Sequence, residues 1–155
     1  IKKRLVDPNR IIIAGNSAGG FTALNSIYEN NLFRAAICKY PVIDLNKMRL
    51  NTHRFERNYL NSLIGEFDAN QEKYFERSPI NNVHKIDKPI LLFHGEKDQV
   101  VDYKESLEFQ EKILKKNIYS KIFLFEDEGH GFRNIRNKII VLEKTEEFIR
   151  FILNI

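Results

Sequence analysis

Three residues of the chain carry side chains that could together perform acyl transfer: a serine, an aspartate and a histidine. Ser17 lies in the stretch 15–19, which reads GNSAG and has the pattern Gly-x-Ser-x-Gly. Asp98 follows an apolar run, and His130 lies between two glycines. A serine hydroxyl becomes an effective nucleophile when an imidazole accepts its proton and a carboxylate orients that imidazole. The pattern therefore indicates a nucleophile, an orienting acid and a general base.

The residues around Ser17 are typical of a nucleophile elbow. The run 11–14 reads IIIA and predicts a buried strand, whereas the small residues that follow Ser17 open onto a helical pattern. In such a strand–turn–helix unit the serine has a strained backbone, and small neighbours let the strand and the helix approach closely. The main-chain N–H of Ala18 is expected to donate one hydrogen bond to the oxyanion.

Apolar runs alternate with helical patterns along the whole chain. We predict strands at 11–14, 35–40, 90–93 and 121–125, and helices at 18–29, 52–63, 71–75, 104–116 and 137–153. Strands that are apolar throughout and alternate with helices predict an α/β fold, with a parallel sheet of about four strands and helices on both faces. Each of the three candidate residues follows the C-terminal end of a strand, where sites form in open α/β sheets. Their order along the chain is that of α/β hydrolases.

Composition excludes several classes of protein. The chain has 155 residues, of which 43% are hydrophobic and 30% charged, which predicts one globular domain rather than a disordered segment. The net charge of +4 is mild and the lysines are scattered among acids, so we predict no nucleic-acid partner. No apolar stretch is long enough to span a bilayer, and we predict no membrane association. The single cysteine, Cys38, excludes a disulfide framework and fits the cytoplasm.

Each candidate residue also has a structural interpretation. Ser17 could serve only as a helix N-cap, and His130 could be an ordinary loop histidine. Asp98 could be only a turn or capping residue. Glu96 and Asp127 compete with Asp98 as the orienting acid. We prefer Asp98 because it lies in the loop after the third predicted strand.

A group of histidines and acids raises the alternative of a metal site. His94, Glu96, Asp98 and His130 have ligand side chains, but they lack the helical pair of histidines found in zinc peptidases. We therefore predict neither a metal nor a cofactor. We expect His94 to be a strand-end residue that is hydrogen-bonded beneath the active site.

With these motifs, the sequence resembles the catalytic domain of the prolyl oligopeptidase family of serine peptidases, in its acylaminoacyl-peptidase and dipeptidyl-peptidase-like branch. The matching stretches span nearly the whole chain: 10–21, 52–56, 74–79, 89–98 and 128–132. The resemblance implies hydrolysis of short peptides through an acyl-enzyme, with Ser17, Asp98 and His130 as the triad. An esterase or other acyl hydrolase on the same fold remains an alternative, as does an inactive hydrolase that acts as a binding module.

The resemblance also implies a pocket for the residue before the scissile bond. By position, Phe55 and Tyr59 line this pocket, and Val42 and Val101 form further parts of its wall. Phe55 and Tyr59 are four residues apart on a predicted helix and share one of its faces, which core packing would explain equally well.

The sequence departs from the family pattern at its N-terminal side. Family members carry a β-propeller and further strands there, so residues 1–155 are expected to be the C-terminal part of a hydrolase domain. The loop with the second oxyanion donor is expected to be missing as well, and one such donor contributes about 10²- to 10³-fold in rate. We therefore expect weak activity or none from these residues alone. The strand at 11–14 would form an apolar edge, which predicts a homodimer or aggregate.

Overall fold

The computed structural model describes residues 5–29, 31–51 and 60–155. The strands are β1 (Ile12–Asn16), β2 (Ala35–Lys39), β3 (Ile90–Gly95) and β4 (Ser120–Phe125). The helices are α1 (Ala18–Glu29), α2 (Leu45–Asn51), α3 (Phe67–Arg77), α4 (Tyr103–Leu114) and α5 (Ile135–Leu153). Two short 3₁₀ segments, Pro79–Asn81 and Val83–Lys85, lie between α3 and β3.

The strands form one parallel sheet in the order β1-β2-β3-β4. This arrangement confirms the predicted α/β architecture. Because the strands are parallel, their C-terminal ends lie at the same edge of the sheet, and the loops that follow them can converge there. Among the described residues, β1 pairs with β2 alone and lies at the end of the sheet.

Helices cover both faces of the sheet. On one face, α1 and α4 pack on a cluster that includes Ala36, Cys38, Ile90 and Leu92. On the other face, α5 packs on a cluster that includes Ala35, Ile37, Leu91 and Phe93. Successive strand residues therefore face opposite sides, and both sides are apolar, as expected for a sheet buried on both faces. Cys38 is fully buried, as expected, and burial raises the pKa of its thiol to about 12.

Several predicted helices agree with the structure. Helix α1 begins and ends where the sequence predicts, and its expected core residues Ala23, Leu24 and Ile27 are buried. Helix α5 begins two residues before the predicted start, because the side chain of Asn134 caps it by accepting the N–H of Arg136 at 3.0 Å. No helix among the described residues has the length and apolar content needed to cross a bilayer.

The region between β2 and β3 differs most from the prediction. Helix α2 was not predicted, and it begins where the carboxylate of Asp44 accepts the N–H groups of Asn46 and Lys47. The helix predicted at 52–63 falls largely on 52–59, which lie outside the described residues, although 60–64 are helical. The short helix predicted at 71–75 is part of the longer α3.

Candidate active site

Ser17 lies in the tight turn between β1 and α1. Its φ angle is +50°, a left-handed conformation that is uncommon for residues other than glycine. The turn is fixed by main-chain hydrogen bonds: the N–H of Ser17 donates to the carbonyl of Lys39 at 3.0 Å, and its carbonyl accepts from Phe21 at 3.1 Å. Strain of this kind occurs mainly at functional sites, where the surrounding structure maintains it.

Close backbone approach explains two of the three glycines around Ser17. A Cβ atom on Gly15 would lie 2.0 Å from the carbonyl oxygen of Gly19, and one on Gly20 would lie 2.7 Å from the Cβ of Pro41. A Cβ atom on Gly19 would meet no atom within 4 Å. The expectation that small residues let strand and helix approach therefore holds at Gly15 and Gly20, but not at Gly19.

The structure brings Ser17, His130 and Asp98 into one hydrogen-bonded chain. Nε2 of His130 lies 2.9 Å from Oγ of Ser17. Nδ1 of His130 lies 2.8 Å from Oδ2 of Asp98. Because a carboxylate only accepts hydrogen bonds, Nδ1 carries the imidazole proton, which leaves Nε2 as the acceptor for the serine hydroxyl.

The carboxylate of Asp98 is completely buried, and N–H groups face both of its oxygens. Its Oδ1 atom accepts the N–H groups of Val100 at 2.8 Å and Val101 at 3.0 Å. Burial alone would raise the pKa of this carboxyl, but donors from His130, His94 and the two N–H groups outweigh burial and hold the pKa below its usual range. Asp98 is therefore a permanent anion at neutral pH.

Asp127, an alternative to Asp98 as the orienting acid, lies in a different hydrogen-bond network. Its two carboxylate oxygens accept from the side-chain amides of Asn134 and Asn137, both at 2.7 Å. These bonds link Asp127 to the start of α5 rather than to His130.

The loop that carries His130 is held close against the end of β3. A Cβ atom on Gly95 would lie 2.3 Å from the carbonyl oxygen of Glu128, so only glycine fits at this crossing. The buried carboxylate of Glu128 accepts the N–H groups of Arg133 and Asn134, both at 2.9 Å. Glu128 therefore anchors the loop to the start of α5. Sequence reasoning missed this role, because an acid two residues before a histidine gives little signal for a buried anchor.

Tyr40 was predicted only as the end of a strand, yet its ring packs on the imidazole of His130. The ring centroids are 4.7 Å apart at an angle of 59°, and Phe132 contacts the Tyr40 ring edge-on at 5.3 Å. Tyr40 has a φ angle of +38°, which is a second strained position at the site. Burial and the charge of Asp98 both raise the pKa of its phenol.

An apolar cavity of about 270 Å³ opens beside the elbow. Apolar side chains and one arginine line it: Ala18, Phe21, Val42, Leu45, Met48, Leu60, Leu63, Ile64 and Arg77. Val42, which is expected to line a substrate pocket, lies in the wall of this cavity. Val101 is buried in the adjoining apolar cluster and is not among the lining residues described. Phe55 and Tyr59 lie outside the described residues.

His94 lies beneath the site, as expected, and is fully buried. Its Nδ1 atom is 2.8 Å from Oγ of Ser106, and its Nε2 atom is 3.1 Å from the carbonyl oxygen of Val101. Within the described part of the chain, no three histidine, cysteine or acidic side chains are arranged to hold a metal ion.

Comparison with known proteins identifies the family. The model of the prolyl oligopeptidase family matches residues 1–155, which is the whole chain. The chain belongs to the prolyl oligopeptidase family. The dipeptidyl aminopeptidase BIII of Pseudoxanthomonas mexicana is 26% identical to this family member over 96% of the chain. The acylamino-acid-releasing enzyme of Rattus norvegicus is 25% identical over 83% of the chain.

The crystal structure of a puromycin hydrolase is similar to this prolyl oligopeptidase family chain over 99% of its length, with 30% identity and a TM-score of 0.95. The parallel sheet and its helices are therefore part of an α/β-hydrolase fold. This family member spans 22% of the dipeptidyl aminopeptidase, 19% of the acylamino-acid-releasing enzyme and 23% of the puromycin hydrolase, about a fifth of each.

Proposed function

We propose that this chain supplies the reacting groups of a serine-type peptidase that hydrolyses short peptides through an acyl-enzyme. The observation that supports this proposal is the hydrogen-bonded chain from Ser17 through His130 to Asp98, in a member of a peptidase family. These contacts place a hydroxyl, a base and an orienting carboxylate in the order that acyl transfer requires.

The first half of the reaction forms the acyl-enzyme. Nε2 of His130 accepts the hydroxyl proton of Ser17 while Oγ attacks the carbonyl carbon of the peptide bond. The anion of Asp98 stabilises the imidazolium and keeps its ring oriented. Negative charge develops on the peptide oxygen. Ala18 is the first residue of α1, and its N–H has no acceptor within the helix, so it is suited to donate to this oxygen.

The second half releases the product. The imidazolium of His130 donates its proton to the leaving amine, which breaks the C–N bond and frees the C-terminal peptide. A water molecule then takes the place of the amine, and Nε2 of His130 accepts a proton from it as its oxygen attacks the ester. Collapse of this intermediate returns the proton to Oγ of Ser17 and frees the acid.

The apolar cavity fits the side chain of the residue before the scissile bond. Ala18 lies in its wall, so the cavity adjoins the position where the carbonyl would be attacked. Nearly all of the lining is aliphatic or aromatic, which favours an apolar side chain over a charged one. We therefore propose peptides with an apolar residue at this position as the substrate class.

We also propose that residues 1–155 form the C-terminal part of a catalytic domain. The chain carries all three residues of the proposed triad, yet it spans about a fifth of the relatives it matches. Further strands and a second oxyanion donor would then come from another segment, as they do in complete α/β hydrolases.

A fluorophosphonate probe tests the proposal, because it reacts only with an activated serine. In a longer polypeptide that supplies the second oxyanion donor, we expect labelling of the wild type and of Ser26→Ala, a control on α1, and none of Ser17→Ala. Labelling of the isolated chain should be weak or absent. Cleavage of aminoacyl or dipeptidyl chromogenic amides, compared with the matching esters, then separates a peptidase from an esterase. Labelling that persists in Ser17→Ala, or a folded longer polypeptide that contains residues 1–155 and is never labelled, would contradict the proposal.

A further inference from the structure

A second histidine, His94, contacts the same carboxylate oxygen as His130. Nε2 of His94 lies 3.2 Å from Oδ2 of Asp98, and neither side chain has any exposed surface. Nδ1 of His130 lies 2.8 Å from the same oxygen. We propose that His94 is a positioning residue that fixes Asp98 opposite His130 and shares its negative charge. This inference rests on the proposed function, since it concerns the acid of the same triad.

The surroundings of His94 determine which nitrogen carries its proton. Nε2 faces two acceptors, the carbonyl oxygen of Val101 at 3.1 Å and Oδ2 of Asp98, so it must be the N–H. In the neutral imidazole, Nδ1 is then an acceptor, and the buried hydroxyl of Ser106 donates to it over 2.8 Å. Ser106 thereby orients the ring so that its N–H points to the carbonyl oxygen of Val101, with Oδ2 of Asp98 3.2 Å from the same nitrogen.

His94 also stabilises the turn that holds the other oxygen of Asp98. The N–H of Val101 donates to Oδ1 of Asp98 at 3.0 Å, while the carbonyl of Val101 accepts from His94. Both oxygens of Asp98 therefore depend on His94. One is contacted directly, and the other is held through the peptide group of Val101.

This arrangement has a measurable effect on His130. A donor that faces Oδ2 disperses its negative charge, so removing the N–H of His94 should strengthen the hydrogen bond that Nδ1 of His130 donates to this oxygen. Tyr40 packs on the His130 ring, and other charged groups line the cavity beside it: Lys97, Asp127, Glu128 and Arg133. A substitution at position 94 leaves all of these side chains in place.

Two substitutions at His94 separate charge sharing from simple packing. His94→Phe keeps a ring but lacks the N–H, whereas His94→Gln places an amide N–H where Nε2 now lies. In ¹H NMR spectra of ¹⁵N-histidine-labelled chain, we expect the Hδ1 resonance of His130 to move downfield in His94→Phe, because its hydrogen bond to Asp98 strengthens, and to stay near the wild-type position in His94→Gln. An unchanged or upfield Hδ1 resonance of His130 in folded His94→Phe, or equal shifts in both variants, would overturn the proposal.

A measurement on the unmodified chain covers the case in which His94→Phe does not fold. The ¹⁵N shifts of His94 at neutral pH should show a protonated Nε2 and an unprotonated Nδ1; the opposite tautomer would overturn the proposal. These readouts do not depend on turnover. If these readouts appear but no longer polypeptide that contains the chain is labelled by a fluorophosphonate, the peptidase proposal is refuted and the role of His94 is still supported.

Discussion

Nδ1 of His130 lies 2.8 Å from Oδ2 of Asp98, although 32 positions separate the two residues. Their contact follows from the parallel pairing of β3 and β4. Gly95 at the end of β3 is in register with Phe125 at the end of β4, so both strands end at the same edge of the sheet. Short loops after these strands then bring the carboxylate and the imidazole together.

Replacing Asp98 with asparagine should lower the rate of serine labelling or amide hydrolysis by about 10⁴-fold, because an amide cannot stabilise the imidazolium and favours the wrong tautomer. Asp102→Asn is the matched control. Asp102 caps α4 by accepting the N–H of Lys104 at 3.0 Å, and asparagine caps a helix about as well. A wild-type rate in Asp98→Asn would exclude Asp98 as the orienting acid.

The two glycines at the elbow should respond differently to substitution by alanine. Gly15→Ala places a methyl group 2.0 Å from the backbone of Gly19, so we expect a loss of about 1–3 kcal/mol in the free energy of unfolding. The methyl group of Gly19→Ala would point into open space on α1. This substitution should leave the free energy of unfolding unchanged or raise it by up to about 1 kcal/mol. Urea denaturation measures both, and equal effects would contradict the geometry of the elbow.

Glu105 should make stability depend on pH. It is a buried residue of α4, and Oε2 has no hydrogen-bond partner among the described residues. Burial, and next the charge of Asp44, raise the pKa of its carboxyl to about 7. An unfolded glutamate has a pKa of about 4.3, so between these values the folded state binds more protons than the unfolded state. The contribution of Glu105 to stability therefore falls as the pH rises through this window.

Glu105→Gln removes this titration. The difference in the free energy of unfolding between the variant and the wild type should shift in favour of the variant as the pH rises from about 4.5 to 7.5. Denaturant titrations at several pH values measure this difference. Glu111→Gln, at an exposed position on the same helix, is the control. Parallel curves for Glu105→Gln and the wild type would show that Glu105 titrates normally.

Local patterns in the sequence predicted the sheet and the three residues of the candidate triad. The β-branched run before Ser17 and the glycines beside His130 are contiguous signals, and each predicted strand overlaps an observed one. Helix α2 was not predicted, because its start depends on Asp44 as a cap and its seven residues show little apolar periodicity.

Contacts between distant segments could not be predicted from such patterns. Tyr40 reaches His130, and His94 reaches Ser106, only because the sheet places their strands and loops side by side. Glu128 is a polar residue, yet it is buried where its main-chain carbonyl lies against Gly95 at the end of β3. Side chains of this kind follow from tertiary packing rather than from local propensity.

Leu63 offers a test of the apolar substrate class. It lines the cavity beside the elbow and is 58% exposed, so a polar substitution there should not disrupt the core. Leu63→Asp should reduce the preference in kcat/KM for a substrate with phenylalanine over one with glycine before the scissile bond by roughly tenfold. Leu142→Asp changes an exposed leucine outside this cavity and should keep the wild-type preference. Equal preferences in both variants would place the substrate side chain elsewhere.

The open side of β1 should make the 155-residue polypeptide self-associate when it is expressed alone. Among the described residues β1 pairs with β2 only, so its other side presents unpaired main-chain groups next to apolar side chains. Such an edge can pair with a strand of a second copy. We expect light scattering to show a mass above that of the monomer, which rises with concentration in the micromolar range. Ile11→Lys should weaken this association, because a lysine beside an edge strand opposes pairing, whereas Leu114→Lys on α4 should not. A monodisperse monomer at every concentration would rule out pairing through β1.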